Sequence, residues 1–283
     1  MWSNFHMHST YCDGKSEIMD YVDEARKLNM ISIGFSSHAP VPFPTKWCMK
    51  AEDLGEYLAA IQKIKSSNSF VEIYKGLEVD FIPGVVSPNQ FRDKLDYTVG
   101  SVHFIEKFFD GIPWEIDGLH SLFLEGYSKI FNNNIQDVIS RYFELTREMV
   151  STACPSVVGH LDKIKIQNLN NRFFMESDSW YQNEVKKTID LIRESGVIVE
   201  VNTRGIYQKK SDTTYPSPWI LEILHKKNIP VTISSDAHHR DDIINQFPQT
   251  ALLLKKIGFK TISVLSEGAW KPFSFDEHGI TGN

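Results

Sequence analysis

Seven short runs rich in Val and Ile recur along the chain, separated by longer amphipathic stretches, and this alternation limits the fold more than any other feature. The runs are 2–8, 31–35, 71–78, 96–102, 156–159, 197–201 and 230–235, with a weaker eighth at 261–264. Their β-branched character suits strands buried on both faces. Between them, 16–28, 52–66, 134–151, 179–195 and 217–227 place apolar residues at helical spacing. Ser16 reads as the N-cap of the first helix, Gly196 as the C-cap of the fourth, and Ser217-Pro218 as a helix start. Strand–helix alternation requires crossover connections, hence a parallel sheet, open or closed. The least regular part is 104–120, FIEKFFDGIPWEIDGLH, which reads as an active-site loop. No repeat, low-complexity tract or Gly/Ser linker breaks the pattern, so 1–283 reads as one domain.

Composition excludes several functions. Thirty basic against 36 acidic residues give a net charge of −6, so the chain has no basic footprint for nucleic acid or an anionic membrane. No apolar run approaches the roughly 20 residues needed to span a bilayer. The opening MWSNFHMHST lacks the basic and apolar regions of a signal peptide. Cys12, Cys48 and Cys154 stand apart and form no disulfide framework. A reducing, cytoplasmic setting is the expectation.

The ten histidines are unevenly placed. In parallel α/β folds, chemistry gathers at the C-terminal ends of strands. Windows from each strand's last residue to three beyond cover about a tenth of the chain, so about one histidine belongs there by chance. Five fall there: His8, His38, His103, His160 and His238. His6 precedes His8 at i, i+2, the strand spacing that puts both on one face within reach of one ion. Carboxylates join them: Glu78 in GLEVD, Asp236 in SSDAH and Asp13 in YCDG. Imidazole mixed with carboxylate is the ligand set of borderline divalent metals such as zinc, manganese and iron.

These residues resemble the polymerase and histidinol phosphatase (PHP) superfamily. FHMHSTYCDG matches its first signature, SSHAP the second, GLEVD with GSVHF the third, and GHLDKIK with SSDAHH the last, from about residue 4 to 240. The resemblance implies a distorted (β/α)7 barrel with a site of two or three metal ions at the strand C-termini. It assigns one ion to His6, His8, Glu78 and Asp236, a second to Glu78, His103 and His160, and a third to Asp13, His38 and His238. Length, GSVHF with its aromatic follow-on, GHLDKIK and EVNTRG are most similar to the histidinol-phosphate phosphatase branch. That similarity implies hydrolysis of L-histidinol phosphate, a small-molecule phosphate ester, by a metal-activated hydroxide. EVNTRG departs from the usual form of its segment, placing its arginine early, at Arg204, with Lys209 and Lys210 following.

The chemistry then assigns roles. Arg204, past the sixth strand, suits bidentate phosphate binding. Asp236 or His238 can pass a proton toward the leaving alkoxide. His120, Asp117 and Phe104 are candidate substrate contacts in the irregular loop, with Trp114 beside them. His225 reads as a helix C-terminal residue, His239 as exposed or supporting, and His278 has no assigned role. Asp162 reads as an orienter of a histidine, Asp80 as a secondary member of the site, and Cys12 as packing. Alternatives from the same chemistry are a nucleotidase, nuclease or phosphotyrosine phosphatase. A nuclease needs a basic path that charge −6 does not offer. A catalytically silent metal-binding module is a third possibility, disfavoured because every matching ligand position is filled.

Overall fold

In the computed structural model, which describes residues 1–68 and 70–282, seven parallel strands form one sheet. They are β1 (Ser3–Asn4), β2 (Ser32–Phe35), β3 (Glu72–Asp80), β4 (Tyr97–Ser101), β7 (Val157–Val158), β8 (Ile198–Asn202) and β9 (Val231–Ser234). Their spatial order follows the chain, as expected when each crossover returns to the adjacent position. The sheet curls until its ends meet: the His8 N–H donates to the Ala237 carbonyl at 2.8 Å, and the Ala237 N–H to the His6 carbonyl at 3.2 Å. This nearly closed barrel is the distorted (β/α)7 architecture expected from the sequence. The first strand is shorter than 2–8, pairing over Ser3–Asn4 and again at Met7.

The outer layer comprises α1 (Ile18–Lys27), α2 (Leu54–Ser67), α4 (Ile135–Thr152), α5 (Ser179–Ser195), α7 (Pro218–Lys226) and α8 (Phe247–Ile257). Gly196 ends α5 in the left-handed region at φ 71°, and Ser217-Pro218 starts α7. Ser16 is not the cap of α1. Glu17 takes that position, its N–H donating to the Asp20 carboxylate, while the Ser16 hydroxyl accepts from the Arg240 N–H. Helix α8 escapes sequence reading because it starts at Gln246 with φ 66° rather than at a Ser, Thr, Asp or Asn.

Two segments are more ordered than expected. Residues 104–120 contain an antiparallel hairpin, β5 (Phe104–Lys107) with β6 (Pro113–Glu115), turned at Gly111, and lead into α3 (His120–Lys129). The turn signal Asp110-Gly111 lay hidden among aromatic residues. Near the C-terminus, 261–264 belongs to a three-stranded antiparallel sheet of β10 (Thr261–Ser266), β11 (Ala269–Asp276) and β12 (Gly279–Gly282). This sheet sends Trp270 against Phe5 and Tyr97, with ring centroids 5.0 and 6.2 Å apart.

The barrel interior is filled around Tyr97. Its phenol is buried and donates to the Phe5 carbonyl at 2.8 Å. A Cβ at Gly34 on β2 would lie 2.4 Å from the Tyr97 hydroxyl, and one at Gly76 on β3 would lie 2.3 Å from its ring, so both positions are open only to glycine. The packed interior leaves the strand C-termini as the open face. There, the short α6 (Arg204–Tyr207) follows β8 directly.

Candidate metal centre and active site

His6, His8, Glu78, His103, His160 and Asp236 are all nearly inaccessible to solvent and converge at this face. His6 Nε2 lies 3.2 Å from Glu78 Oε2, and His8 Nε2 lies 3.2 Å from Asp236 Oδ1. His160 Nε2 is 2.8 Å from Glu78 Oε1, with His103 Nε2 at 3.7 Å from the same oxygen. His38 Nδ1 is 3.0 Å from Glu78 Oε2. On the outer side, His238 Nε2 is 3.1 Å from Asp13 Oδ2, while His8 Nδ1 and His38 Nε2 each lie 3.9 Å from Asp13 Oδ1. Three overlapping groups have ligand atoms near enough to share an ion: His6, His8 and Asp236; His38, Glu78 and His103; and His8, Asp13, His38 and His238. All nine residues expected at the metals are therefore brought together, with His8 and His38 lying between groups.

Burying Glu78 disfavours its charge, yet His6, His38 and His103 hold it well below the usual carboxylate range. Asp236 behaves alike, held down by His6 and Arg204. Burial works against protonation of His6, but Glu200, Glu78 and Asp236 raise it well above the ordinary imidazole value. Burial also opposes protonation of His103, which Asp80 raises to about 9. Burial, with His238 and His38, lowers His8. So many buried carboxylates call for positive charge, which protons on imidazole meet only in part. Six buried atoms of the expected ligands have no hydrogen-bond partner: His6 Nε2, His8 Nε2, Asp13 Oδ1, His38 Nδ1, His160 Nδ1 and Asp236 Oδ1. Orphaned buried acceptors and an all-N/O donor set fit divalent cations.

Backbone geometry aims two of these side chains. Asp236 at φ 50° and His160 at φ 23° both occupy positive φ, uncommon outside glycine and frequent at working sites. Carboxylates behind the cluster fix the rings. Asp80 accepts from the His103 N–H at 2.9 Å and faces its Nδ1 at 3.0 Å. Glu200, unassigned from sequence, faces His6 Nδ1 at 2.5 Å and accepts from the His160 N–H at 2.6 Å. Its signal was available: a lone acid inside the apolar run VIVEV must be paired. Asp162 does not orient a histidine. It pairs with Lys165 at 2.9 Å and accepts from the Ser217 N–H, because it points from the strand end toward the start of α7.

A cavity opens beside the cluster, lined by Asp13, His38, Asp236 and His238 and by Arg204, Lys163, Lys210, Asp117, Glu115 and Trp47. Arg204 donates to the Asp236 carbonyl at 2.7 Å and lies 2.5 Å from His238 Nδ1. Lys163 Nζ is 3.0 Å from Asp117 and 3.2 Å from His103 Nε2. Asp117 thus faces the cavity as expected. His120 instead packs between Gln167 and Arg172, Phe104 lies behind Trp47, and Trp114 is core. Lys163, Glu115 and Trp47 were not foreseen: Trp47 and Lys163 lie in crossover segments with no periodic signature, and Glu115 ends a short hairpin strand hidden in the aromatic run. Cys12 packs against His8 with its thiol pushed up to about 12 by burial and Asp13, so it stays neutral. His225 lies in the last turn of α7, and His239 caps a 3-10 turn.

A seven-stranded parallel barrel with histidines and carboxylates converging at its strand C-termini defines an α/β-barrel protein built to hold divalent metal ions. The chain belongs to the PHP domain family, whose model matches residues 4–204. It is 24% identical over 269 residues to a probable histidinol-phosphatase of Deinococcus radiodurans, covering 91% of this chain and 94% of the relative. It is 26% identical over 263 residues to the histidinol-phosphatase of Bacillus subtilis, covering 84% and 94%. A histidinol phosphate phosphatase from Lactococcus lactis, solved with zinc, L-histidinol and phosphate, shares the fold at a TM-score of 0.68 and 19% identity, over 99% of this chain and 98% of that one. A putative histidinol phosphatase from Listeria monocytogenes does so at 0.74 and 20% identity, over 87% and 99%. Among the described residues, no helix is long and apolar enough to cross a membrane.

Proposed function

We propose that this protein is a metal-dependent phosphomonoesterase that hydrolyses L-histidinol phosphate to L-histidinol and phosphate in the cytoplasm. The observation that carries the reading is the juxtaposition of the histidine–carboxylate cluster with Arg204, Lys163 and Lys210 in one cavity. Relatives named histidinol-phosphatase that align over most of both chains support the substrate. His6, His8, Glu78 and Asp236 hold one cation; His103 and His160 share Glu78 for a second; Asp13, His38 and His238 hold a third. Zinc, manganese and iron suit these ligands. When bound, such ions neutralise phosphate oxygens and lower the pKa of water to about 7.

The chain's own groups complete the site. Arg204 offers a planar guanidinium to the phosphate, anchored by the Asp236 carbonyl. Burial opposes its charge, but Asp236 outweighs that effect and raises its pKa above the ordinary arginine value. Lys210, on the same segment as Arg204, and Lys163, on the segment after β7, add point charges to the wall. Asp236 and His238 are placed to relay a proton to the leaving alkoxide. Asp80 and Glu200 keep the imidazoles oriented.

The test compares kcat/KM for histidinol phosphate, nucleoside monophosphates and phosphotyrosine with metal-replete protein, before and after chelation. The expected result is a preference for histidinol phosphate above tenfold, about 1.4 kcal/mol of transition-state discrimination. A smaller preference removes the substrate assignment. Full activity after chelation removes the metal chemistry.

A further inference from the structure

The cavity wall holds one acidic residue that neither the metal cluster nor the phosphate accounts for. Asp117 is neutralised by Lys163 at 3.0 Å. Glu115, at the end of β6, has no ion pair among the described residues. Its one side-chain hydrogen bond comes from the Trp47 indole, whose Nε1–H donates to Oε2 at 3.0 Å. That bond fixes the carboxylate while leaving Oε1 free. Oε1 lies over Gly118, where a Cβ would stand 2.1 Å from it, so any larger residue at 118 would displace the carboxylate.

Trp47 is itself firmly placed. Its ring stacks on Phe104 at 5.4 Å and 10°, and sets its edge against His38 at 4.5 Å. Phe104 comes from β5 and Glu115 from β6, so the hairpin carries both supports of one subsite. A preset carboxylate beside an aromatic ring is the chemistry that binds an organic cation. The phosphate-binding groups Arg204 and Lys210 come from the segment after β8, a different part of the wall.

We propose that Glu115, held by Trp47, is the specificity-determining residue of this site, accepting from an ammonium group that the substrate carries near its phosphate ester. The proposal rests on the phosphomonoesterase reading and extends it. The cations read the phosphate, the metal site performs hydrolysis, and Glu115 selects esters with a positive charge over those without one. An uncharged or anionic leaving group would leave the Glu115 carboxylate unpaired inside the cavity.

The test measures kcat/KM of metal-replete wild type, Glu115→Gln and Trp47→Phe on three esters: histidinol phosphate, its deamino analogue and p-nitrophenyl phosphate. Glu115→Gln should lower kcat/KM for histidinol phosphate by roughly 10–100-fold and leave the other two esters within about threefold. Trp47→Phe, which keeps a ring but removes the N–H, should show the same selectivity change at roughly 3–10-fold. Equal losses on all three esters, or no change on any, would overturn the role of Glu115. The wild-type preference for histidinol phosphate over nucleotides and phosphotyrosine tests the substrate reading separately. An unchanged selectivity in Glu115→Gln therefore removes this proposal while leaving that reading intact.

Discussion

Replacing Glu200 by glutamine tests whether the groups behind the expected metal ligands set their chemistry. The carboxylate has no exposed surface. Its Oε1 accepts from the Ser234 hydroxyl at 2.5 Å and faces His6 Nδ1, and its Oε2 accepts from the His160 N–H at 2.6 Å and the Asn202 amide at 3.1 Å. An amide nitrogen cannot occupy the second position, because it would confront two donors. It must face Ser234 and His6. Ser234 can rotate to accept, but His6 can accept at Nδ1 only by moving its proton to Nε2. That is the atom facing Glu78 and Asp236. A protonated Nε2 cannot ligate a metal. Loss of such an orienting partner costs about 10–100-fold in metal affinity, or roughly 1.4–2.7 kcal/mol. Competition with a fluorescent chelator measures this directly. Unaltered metal affinity with full kcat would refute the tautomer argument.

Two further outcomes concern the scaffold. Gly76→Ala drives a methyl into the Tyr97 ring, where an added Cβ meets carbon at 2.3 Å, and should destabilise by about 1–3 kcal/mol in denaturant unfolding; stability within 0.5 kcal/mol of wild type, an order-of-magnitude threshold, would mean the barrel yields more easily than close packing allows. Glu184 on α5 bonds Lys187 and Arg147 of α4, which outweigh the opposing effect of burial and hold its carboxyl below the ordinary value. A depressed folded pKa gives stability that is present above the unfolded value of about 4.5 and lost as pH falls through the folded one. Glu184→Gln should therefore be less stable at pH 7 by about 1 kcal/mol or less, with the difference from wild type fading below about pH 4; a difference that persists in acid would assign it to packing instead.

The expected metal ligands other than Asp13 were legible because each sits at or just beyond a strand end, where local pattern determines position. His6 and His8 share a face by strand spacing, and their convergence survives although β1 itself pairs over two residues. Asp80 was visible for the same reason, two residues beyond Glu78 on a strand that continues to include both. Asp162 misled because β7 ends at Val158, so strand parity no longer governs a side chain four residues on. His120 misled in a similar way. It begins α3 rather than ending a loop, and the helix turns it toward Gln167 and Arg172. Trp47, Glu115 and Lys163 meet only because three separate crossovers fold over one barrel mouth, a long-range property that no window of sequence records.

The net charge of −6 shows the same limit in electrostatic form. It rules out a broad basic surface, but an enzyme of this kind meets its dianionic substrate only inside the cavity. There Arg204 and Lys210, from the segment after β8, meet Lys163 from the segment after β7, and Lys163 and Arg204 lie against acids of the same wall. The acids expected to ligate metal, Asp13, Glu78 and Asp236, lower the potential in the bare polypeptide, and divalent cations bound to them would reverse its sign. Anion affinity should accordingly track metal occupancy rather than surface charge. Glu115 stays outside that reversal because it faces no expected metal ligand directly, only the Trp47 indole. The cavity thus has a cationic part, created by the residues that the sequence announces, and an anionic part, created by a hairpin that the sequence conceals. Discrimination among phosphate esters falls to the second.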